Sequence, residues 1–172
     1  MSGPDTKVLP DLRIGPLLPE HAGEALTVQR AAYVTEAQRY TAPTIPPLVE
    51  TLDELRADLT AGVLARGAWL GPRLVGSVRG RVEGSHMEVL RFSVAPDVQG
   101  WGVGRALLTA VHAAAPPTVL TFWLVTGANS PENLHLYTSS GYRVVGTVTD
   151  AAGVGLVRME RDRPPGTIGA RS

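Results

Sequence analysis

The stretch Leu90-Arg-Phe-Ser-Val-Ala-Pro-Asp-Val-Gln-Gly-Trp-Gly-Val-Gly-Arg-Ala106 decides how this chain folds. Its first residues alternate as a strand ending at Val94, and Pro96-Asp97 turns the chain. An apolar stripe at Val103, Leu107, Val111 and Ala114 then predicts a helix over 102–115, which Pro116-Pro117 stops. Gly100, Gly102 and Gly104 stand between strand and helix. Glycines at alternate positions let main-chain N–H groups approach a ligand with no Cβ in the way. The helix start adds amides without acceptors and the positive end of the helix dipole. Such a turn is an anion cradle suited to phosphate, although a turn tightened only for packing would use the same glycines. Residue identity excludes two phosphate loops. A P-loop needs Lys-Ser/Thr after its last glycine, where this chain has Arg105-Ala106. A dinucleotide fingerprint needs a third glycine three places after the second, where Arg105 or Leu107 stands. It also needs an acid about 20 residues on, where Leu120-Thr121-Phe122-Trp123 follows.

Working outward, hydrophobic period and breakers divide the rest. Leu12–Leu17 reads as a first strand and Glu20–Tyr40 as a helix with Ala25, Val28, Ala32 and Ala37 on its apolar positions. Thr41–Leu48 holds Pro43, Pro46 and Pro47 and is expected to be extended. Thr51 and Glu54 form a capping box for a helix over Leu52–Leu59 that Gly62 ends. Val63–Leu70 and Arg73–Val82 flank Gly71-Pro72 as a hairpin, and Met87–Val94 follows. Val119–Val125 is a nearly continuous apolar run, expected to be a strand covered on both faces. Asn133–Ser140 reads as a short helix closed by Gly141, and Tyr142–Thr149 with Val154–Glu160 as a closing hairpin. The order β-α-α-β-β-β-α-β-α-β-β is mixed α/β, with one strand–helix–strand crossover at its centre.

Composition narrows the classes. The length of 172 residues fits one domain over 11–161, with Gly- and Pro-rich tails over 1–10 and 162–172 expected to fray. The absence of cysteine excludes disulfides, thiol catalysis and sulfur-bound metal. Sixteen basic residues balance sixteen acidic ones and aromatics make up only 5%, so neither a nucleic-acid partner nor a membrane partner is expected. No apolar run has the length of a membrane span, and Met1–Pro10 has no hydrophobic signal core, so a cytoplasmic location is expected. His21, His112 and His135 show no ligand spacing, so no metal is expected.

Gln99, Gly102 and Gly104 fit the pattern Gln/Arg-x-x-Gly-x-Gly/Ala, and this loop resembles motif A of the GCN5-related N-acetyltransferases, the GNAT superfamily. Leu136-Tyr137-Thr138-Ser139-Ser140-Gly141-Tyr142 resembles that family's Leu-Tyr-x-x-x-Gly-Phe/Tyr signature. The resemblance covers Val63–Glu160. It implies an α/β (α+β) fold, a mixed, mostly antiparallel central sheet of about seven strands with helices on both faces. It also implies acetyl-CoA, or another acyl-CoA, as co-substrate. The implied reaction is transfer of the acetyl group to a primary amine, of a small molecule or a protein, by direct attack in a ternary complex. A non-catalytic acyl-CoA-binding, regulatory or assembly module on the same fold is the alternative, and a homodimer is compatible with the family.

The resemblance also distributes roles. The main chain of Gln99, Gly100, Trp101, Gly102, Val103, Gly104 and Arg105 would hold the pyrophosphate, and the edge of Phe92, Ser93 and Val94 would pair with the pantetheine arm. The Trp101 side chain is expected to face outward, and Arg105 either reaches a phosphate or is simply solvated. Tyr137 would protonate the departing thiolate. Asn129 and Asn133 are both candidates for the pantetheine-binding asparagine. Glu88, expected on the strand face of Leu90, Phe92 and Val94, is the candidate base, with His86 as its rival. Tyr33, Glu36 and Tyr40 would wall the acceptor pocket.

Overall fold

The computed structural model describes residues 9–165. β1 (Leu12–Pro16) leads through a 3-10 turn into α1 (Ala22–Arg39), and α2 (Pro46–Val49) and α3 (Leu52–Thr60) follow. β2 (Leu64–Leu70), β3 (Arg73–Glu83) and β4 (His86–Val94) form a meander. α4 (Val103–Ala114) crosses to β5 (Thr121–Gly127). α5 (Pro131–Ser139), β6 (Arg143–Thr149) and β7 (Gly155–Asp162) complete the chain. The strands make one seven-stranded sheet in the order β1-β2-β3-β4-β5-β7-β6. Among the described strands only β4 and β5 pair in parallel, with α4 crossing from one to the other. The expected mixed, mostly antiparallel sheet with helices on both faces is the one that forms.

The two faces bury different elements. Leu107 and Val111 of α4 pack with Val75, Val78, Met87, Phe122 and Leu124 on one face, together with Tyr137 of α5. Leu26 of α1 and Leu55 and Leu59 of α3 pack with Trp69 and Leu74 on the other. Each such side chain contributes roughly 2 kcal/mol by leaving water. The Thr51–Glu54 capping box is present, and Gly62, at φ +85°, ends α3 as expected.

Three local expectations change. The proline-rich link is not wholly extended, since Pro46 and Pro47 start the one-turn α2, where their missing N–H groups cost nothing. β5 begins at Thr121 rather than Val119. It buries Phe122 and Leu124, whereas its other face carries an exposed Val125 and Trp123 beneath the Arg158 guanidinium, so it is not covered on both sides. The domain also reaches slightly past its expected limits. Leu9 packs on the core, Asp162 ends β7, and Arg163 donates its N–H to the Leu120 carbonyl. Of the expected tails, residues 1–8 and 166–172 lie outside the described residues.

His112 ties α4 to the closing hairpin. Its Nδ1 faces Arg161 Nη1 at 2.8 Å and its Nε2 faces Tyr142 Oη at 2.6 Å. Arginine only donates, so Nδ1 accepts and the ring's single proton sits on Nε2, donated to the tyrosine. Burial, then the charges of Arg161 and Arg163, push His112 down to about 3. An unfolded histidine titrates near 6.5. Below that pH the unfolded chain binds a proton that the folded chain refuses, so stability falls as pH drops. About 2 kcal/mol should be gone by pH 5. The Tm measured from pH 8 to 5 should decline below pH 6.5, and His112→Gln should flatten that decline. An unchanged slope in the variant would remove His112 as its cause.

Candidate functional site

β4 and β5 pair only at His86 with Thr121, Met87 with Phe122 and Glu88 with Trp123. Beyond Glu88 they separate, leaving the β5-facing edge of Val89–Val94 without a sheet partner. A cleft of about 610 Å³ fills this V, running from the glycine loop at one end to α1 and α2 at the other.

A bulge shapes the cleft's wall. Leu90 pairs with Arg79 and Ser93 with Ser77, so two residues, Arg91 and Phe92, stand opposite Val78. Arg91 takes φ +53°, left-handed backbone that a non-glycine residue adopts only under constraint. The extra residue inverts the alternation. Glu88 and Leu90 share the face of Arg79, toward α1, whereas Phe92 packs against Tyr137 and Gly104 on the opposite face. The expectation that Glu88, Phe92 and Val94 share one face is therefore corrected. Glu88 still lines the cleft, from the α1 side, and its nearest cation is Arg81 at 3.9 Å. His86 is exposed beside Ser85 and does not line the cleft.

The three glycines of the loop divide their work. Gly100 and Gly102 take φ +80° and +83°, and nothing lies within 4 Å of where a Cβ would project. A Cβ at Gly104 would instead sit 2.9 Å from the Phe92 ring, so that glycine serves packing. The first hydrogen bond of α4 runs from Ala106 N–H to the Gly102 carbonyl, and no side chain caps the helix. The N–H groups of Val103, Gly104 and Arg105 thus lack acceptors in the helix while their residues line the cleft. Gln99 Nε2 donates to the Val94 carbonyl, fastening the loop to the strand end. Arg105 lines the cleft and donates to Ser139 Oγ at 2.9 Å. The Trp101 side chain is half-buried against the core and does not line the cleft, so it does not simply face outward. Phe92 and Val94 line the cleft, whereas Ser93 is buried away from it, with its Oγ on the Arg91 carbonyl.

Tyr137 lies on α5 where the strands part. Its ring is wedged edge-on between Phe92 and Tyr142, and its hydroxyl has no hydrogen-bond partner among the described residues. Burial, and next the neighbouring Tyr33, hold its proton well above the usual tyrosine range. Asn133 lines the cleft beside it. Asn129 does not, and its main-chain N–H donates to Tyr40 Oη.

The expected acceptor wall splits into two kinds of residue. Tyr40 and Glu36 brace the cleft, because Tyr40 Oη receives the Asn129 amide at 2.7 Å and Glu36 receives Ser130 Oγ at 2.7 Å and Arg39 at 3.0 Å. Gly127 is required there, since a Cβ would collide with the Tyr40 hydroxyl and Ser130 Oγ. Tyr33 presents its ring to the cleft, its proton pushed up to about 12, chiefly by burial.

Beneath this wall lies a cluster that sequence patterning does not single out. The buried Arg79 donates to both oxygens of Glu50 and to Asp58 and Gln29. Gln29 also donates to Glu50 and to the Pro47 carbonyl. Arg91 Nε lies 3.5 Å from Glu50 Oε1, outside hydrogen-bonding geometry. Among the described residues, no three His, Cys, Asp or Glu side chains group as metal ligands. No helix there is long and apolar enough to cross a membrane.

This geometry agrees with the known proteins the chain resembles. The family described as an acetyltransferase (GNAT) domain matches residues 47–163. The curated protein UPF0157 protein YqkA of Bacillus subtilis (strain 168) is 30% identical over 137 residues, which cover 77% of this chain and 38% of that protein. The chain thus spans well under half the length of that relative. Among solved structures, the PaiA N-acetyltransferase of Thermoplasma acidophilum, in complex with coenzyme A, superposes with a TM-score of 0.70 at 16% identity, covering 88% of this chain and 99% of that one. The ribosomal-protein-S18-alanine N-acetyltransferase of Escherichia coli gives 0.70 at 16% identity, over 92% and 99% of the two chains. At these identities the structures speak for the fold, and the matched domain speaks for the family. The seven-stranded sheet parting at β4 and β5, the glycine loop at α4 and the matched domain together assign this chain to the GNAT acetyltransferase family.

Proposed function

We propose that this protein is an N-acetyltransferase that binds acetyl-CoA in the β4–β5 cleft and transfers its acetyl group directly to a primary amine. The observation that carries this reading is the open V itself. It joins a loop whose Gly100 and Gly102 leave Cβ-sized space to a β4 edge and a tyrosine hydroxyl that have no partner among the described residues. The amides of Val103, Gly104 and Arg105 would hold the pyrophosphate, and the free edge of β4 would hydrogen-bond the pantetheine amides. Of the two candidate asparagines, only Asn133 lines the cleft, which favours it as the pantetheine contact.

In the transfer, the acceptor ammonium first loses a proton, to Glu88 directly or through water. The neutral nitrogen then attacks the thioester carbonyl, so that an N–C bond forms and the C–S bond breaks. Sulfur takes the proton of Tyr137, and the second amine proton leaves through solvent to restore the tyrosine. The products are the N-acetyl amine and the free thiol of CoA. Glu88 and Leu90 on the α1 face and Tyr137 on the α5 face fit this division, with acceptor on one side of the sheet and departing thiol on the other.

Saturating acetyl-CoA should raise the Tm, as a ligand at 100 times its Kd adds about 2.7 kcal/mol, whereas NAD and ATP should not. Gly102→Val should weaken acetyl-CoA binding by ~100-fold or more, by filling the cradle. The variant also strains the backbone at φ +83°, so Gly62→Val, at φ +85° and outside the cleft, serves as its control. Both should lose about 1–2 kcal/mol of stability, and only Gly102→Val should lose affinity. Equal affinities in calorimetric titration would sink the assignment of the cradle.

A further inference from the structure

The acceptor end of the cleft contains an arginine whose ion pair with Glu50 leaves its hydrogen-bond donors unused among the described residues. Arg91 lines the cleft, its side chain is 24% exposed, and its Nε is enclosed without a hydrogen-bond partner. None of its donors makes a hydrogen bond among the described residues. Glu50 is the nearest carboxylate, but both its oxygens are already engaged by Arg79 and Gln29. The left-handed backbone at the bulge holds Arg91 in this place at an energetic cost. Strained backbone beside an unsatisfied guanidinium in a cleft marks a position kept for a ligand.

The surroundings define that ligand's chemistry. At this end of the cleft the lining places the Arg91 guanidinium with the carboxylates of Glu36, Glu88 and Asp150. A zwitterion can give its carboxylate to the arginine and its ammonium to a carboxylate, whereas a phosphate dianion would face the acidic residues and a lone ammonium would leave Arg91 unmatched. Ile45, Pro46 and Pro47 from the α2 link and Val154 and Leu156 from the closing hairpin add an apolar wall.

We infer that the acceptor is a free amino acid with an apolar side chain, its carboxylate gripped by the Arg91 guanidinium and its side chain laid against the Ile45–Pro47 wall. The guanidinium fork suits a carboxylate bidentately, and Tyr33, its neighbour in the cleft, keeps its hydroxyl protonated and able to donate to the same group. The inference rests on the acetyl-CoA reading above and adds the acceptor class to it.

The test uses the full chain with saturating acetyl-CoA and follows release of free thiol. L-leucine, L-methionine and L-phenylalanine are each offered beside the corresponding amide, which keeps the amine and side chain and lacks the carboxylate. At least one free acid should exceed its amide in kcat/KM by tenfold or more. Arg91→Gln should erase that preference, raising KM for the acid at least tenfold more than KM for the amide. Arg91→Gly removes the guanidinium while relieving the left-handed backbone, so it should lose the same preference in a folded protein. Amides that match or exceed the acids, or a preference that survives both variants, overturn the proposal. If acetyl-CoA raises the Tm but no free amino acid is acetylated, the amino-acid acceptor falls and the acetyl-CoA reading stands. If acetyl-CoA leaves the Tm unchanged, both fall.

Discussion

Tyr137→Phe should lower kcat by about 100-fold while leaving the Kd for acetyl-CoA within about twofold. The ring would stay where it is, because its packing on Phe92 and Tyr142 involves only the aromatic carbons. No hydrogen bond within the described residues would be lost, so the Tm should not move. The hydroxyl alone is removed, and it matters because it is hard to ionise. Burial, followed by the neighbouring Tyr33, Tyr142 and Glu36, keeps its proton on well above the usual range. At every pH where the protein works, Tyr137 is a neutral donor at the parting of the strands. In the proposed transfer it would stabilise negative charge only as that charge develops on sulfur, which is the condition for lowering a barrier rather than tightening substrate binding. The separation of kcat from Kd is the discriminating observation. A variant with unchanged turnover would mean that solvent protonates the thiolate and that Tyr137 only fills space.

The parts of the protein governed by local rules are legible in the sequence. Gly100 and Gly102 stand at left-handed positions that glycine tolerates best, and Thr51 and Glu54 close a capping box four residues long. The strand–helix–strand crossover at the centre of the chain is read from the α4 pattern between two strand patterns, and β4 and β5 pair in parallel there. The acceptor end is not legible, because non-local geometry makes it. Period-two reading carries Glu88 onto the face of Phe92, and only the bulge at Arg91 overturns that. A bulge has no reliable signal when its extra residue is an arginine rather than a glycine. Gln29 lies in the expected helix Glu20–Tyr40 outside its apolar positions, and Glu50 falls between the proline-rich Thr41–Leu48 and the capping box at Thr51. Both are buried only because Arg79, from a strand 29 residues beyond Glu50, turns inward to meet them. The same blindness applies to Pro46 and Pro47, whose helical turn forms one wall of the cleft.

Glu50→Gln should cost about 3 kcal/mol, several times more than Asp58→Asn, although both carboxylates bind Arg79. The difference follows from burial. The Arg79 and Glu50 side chains are 3% and 9% exposed, whereas Asp58 is 34% exposed and partly screened by water. Removing the Glu50 charge leaves Arg79 desolvated with only a peripheral counter-ion, and it leaves Arg91 without its nearest carboxylate. Asp58 still tempers the loss, which therefore stays at the low end for a broken buried pair. At ~2–4 °C per kcal/mol for a domain of this size, the Tm should fall by about 10 °C. The pair also sets an acid limit. Desolvation pushes the Glu50 carboxyl up, but hydrogen bonds from Arg79 and Gln29, with the charges of Arg79 and Arg91, bring it below its usual range. A carboxyl lowered in the folded state contributes stability above its unfolded pKa and loses it as pH falls through the folded value. Wild type should therefore lose this contribution in acid, and Glu50→Gln should have none to lose. Joint replacement of Arg79 by Met and Glu50 by Leu should recover much of the stability, since apolar packing is a fair exchange for a buried pair. Arg91 would then lose its nearest carboxylate, 3.5 Å from its Nε. Such a double variant with normal Tm and altered acceptor preference would separate what the cluster does for the fold from what it does for the cleft.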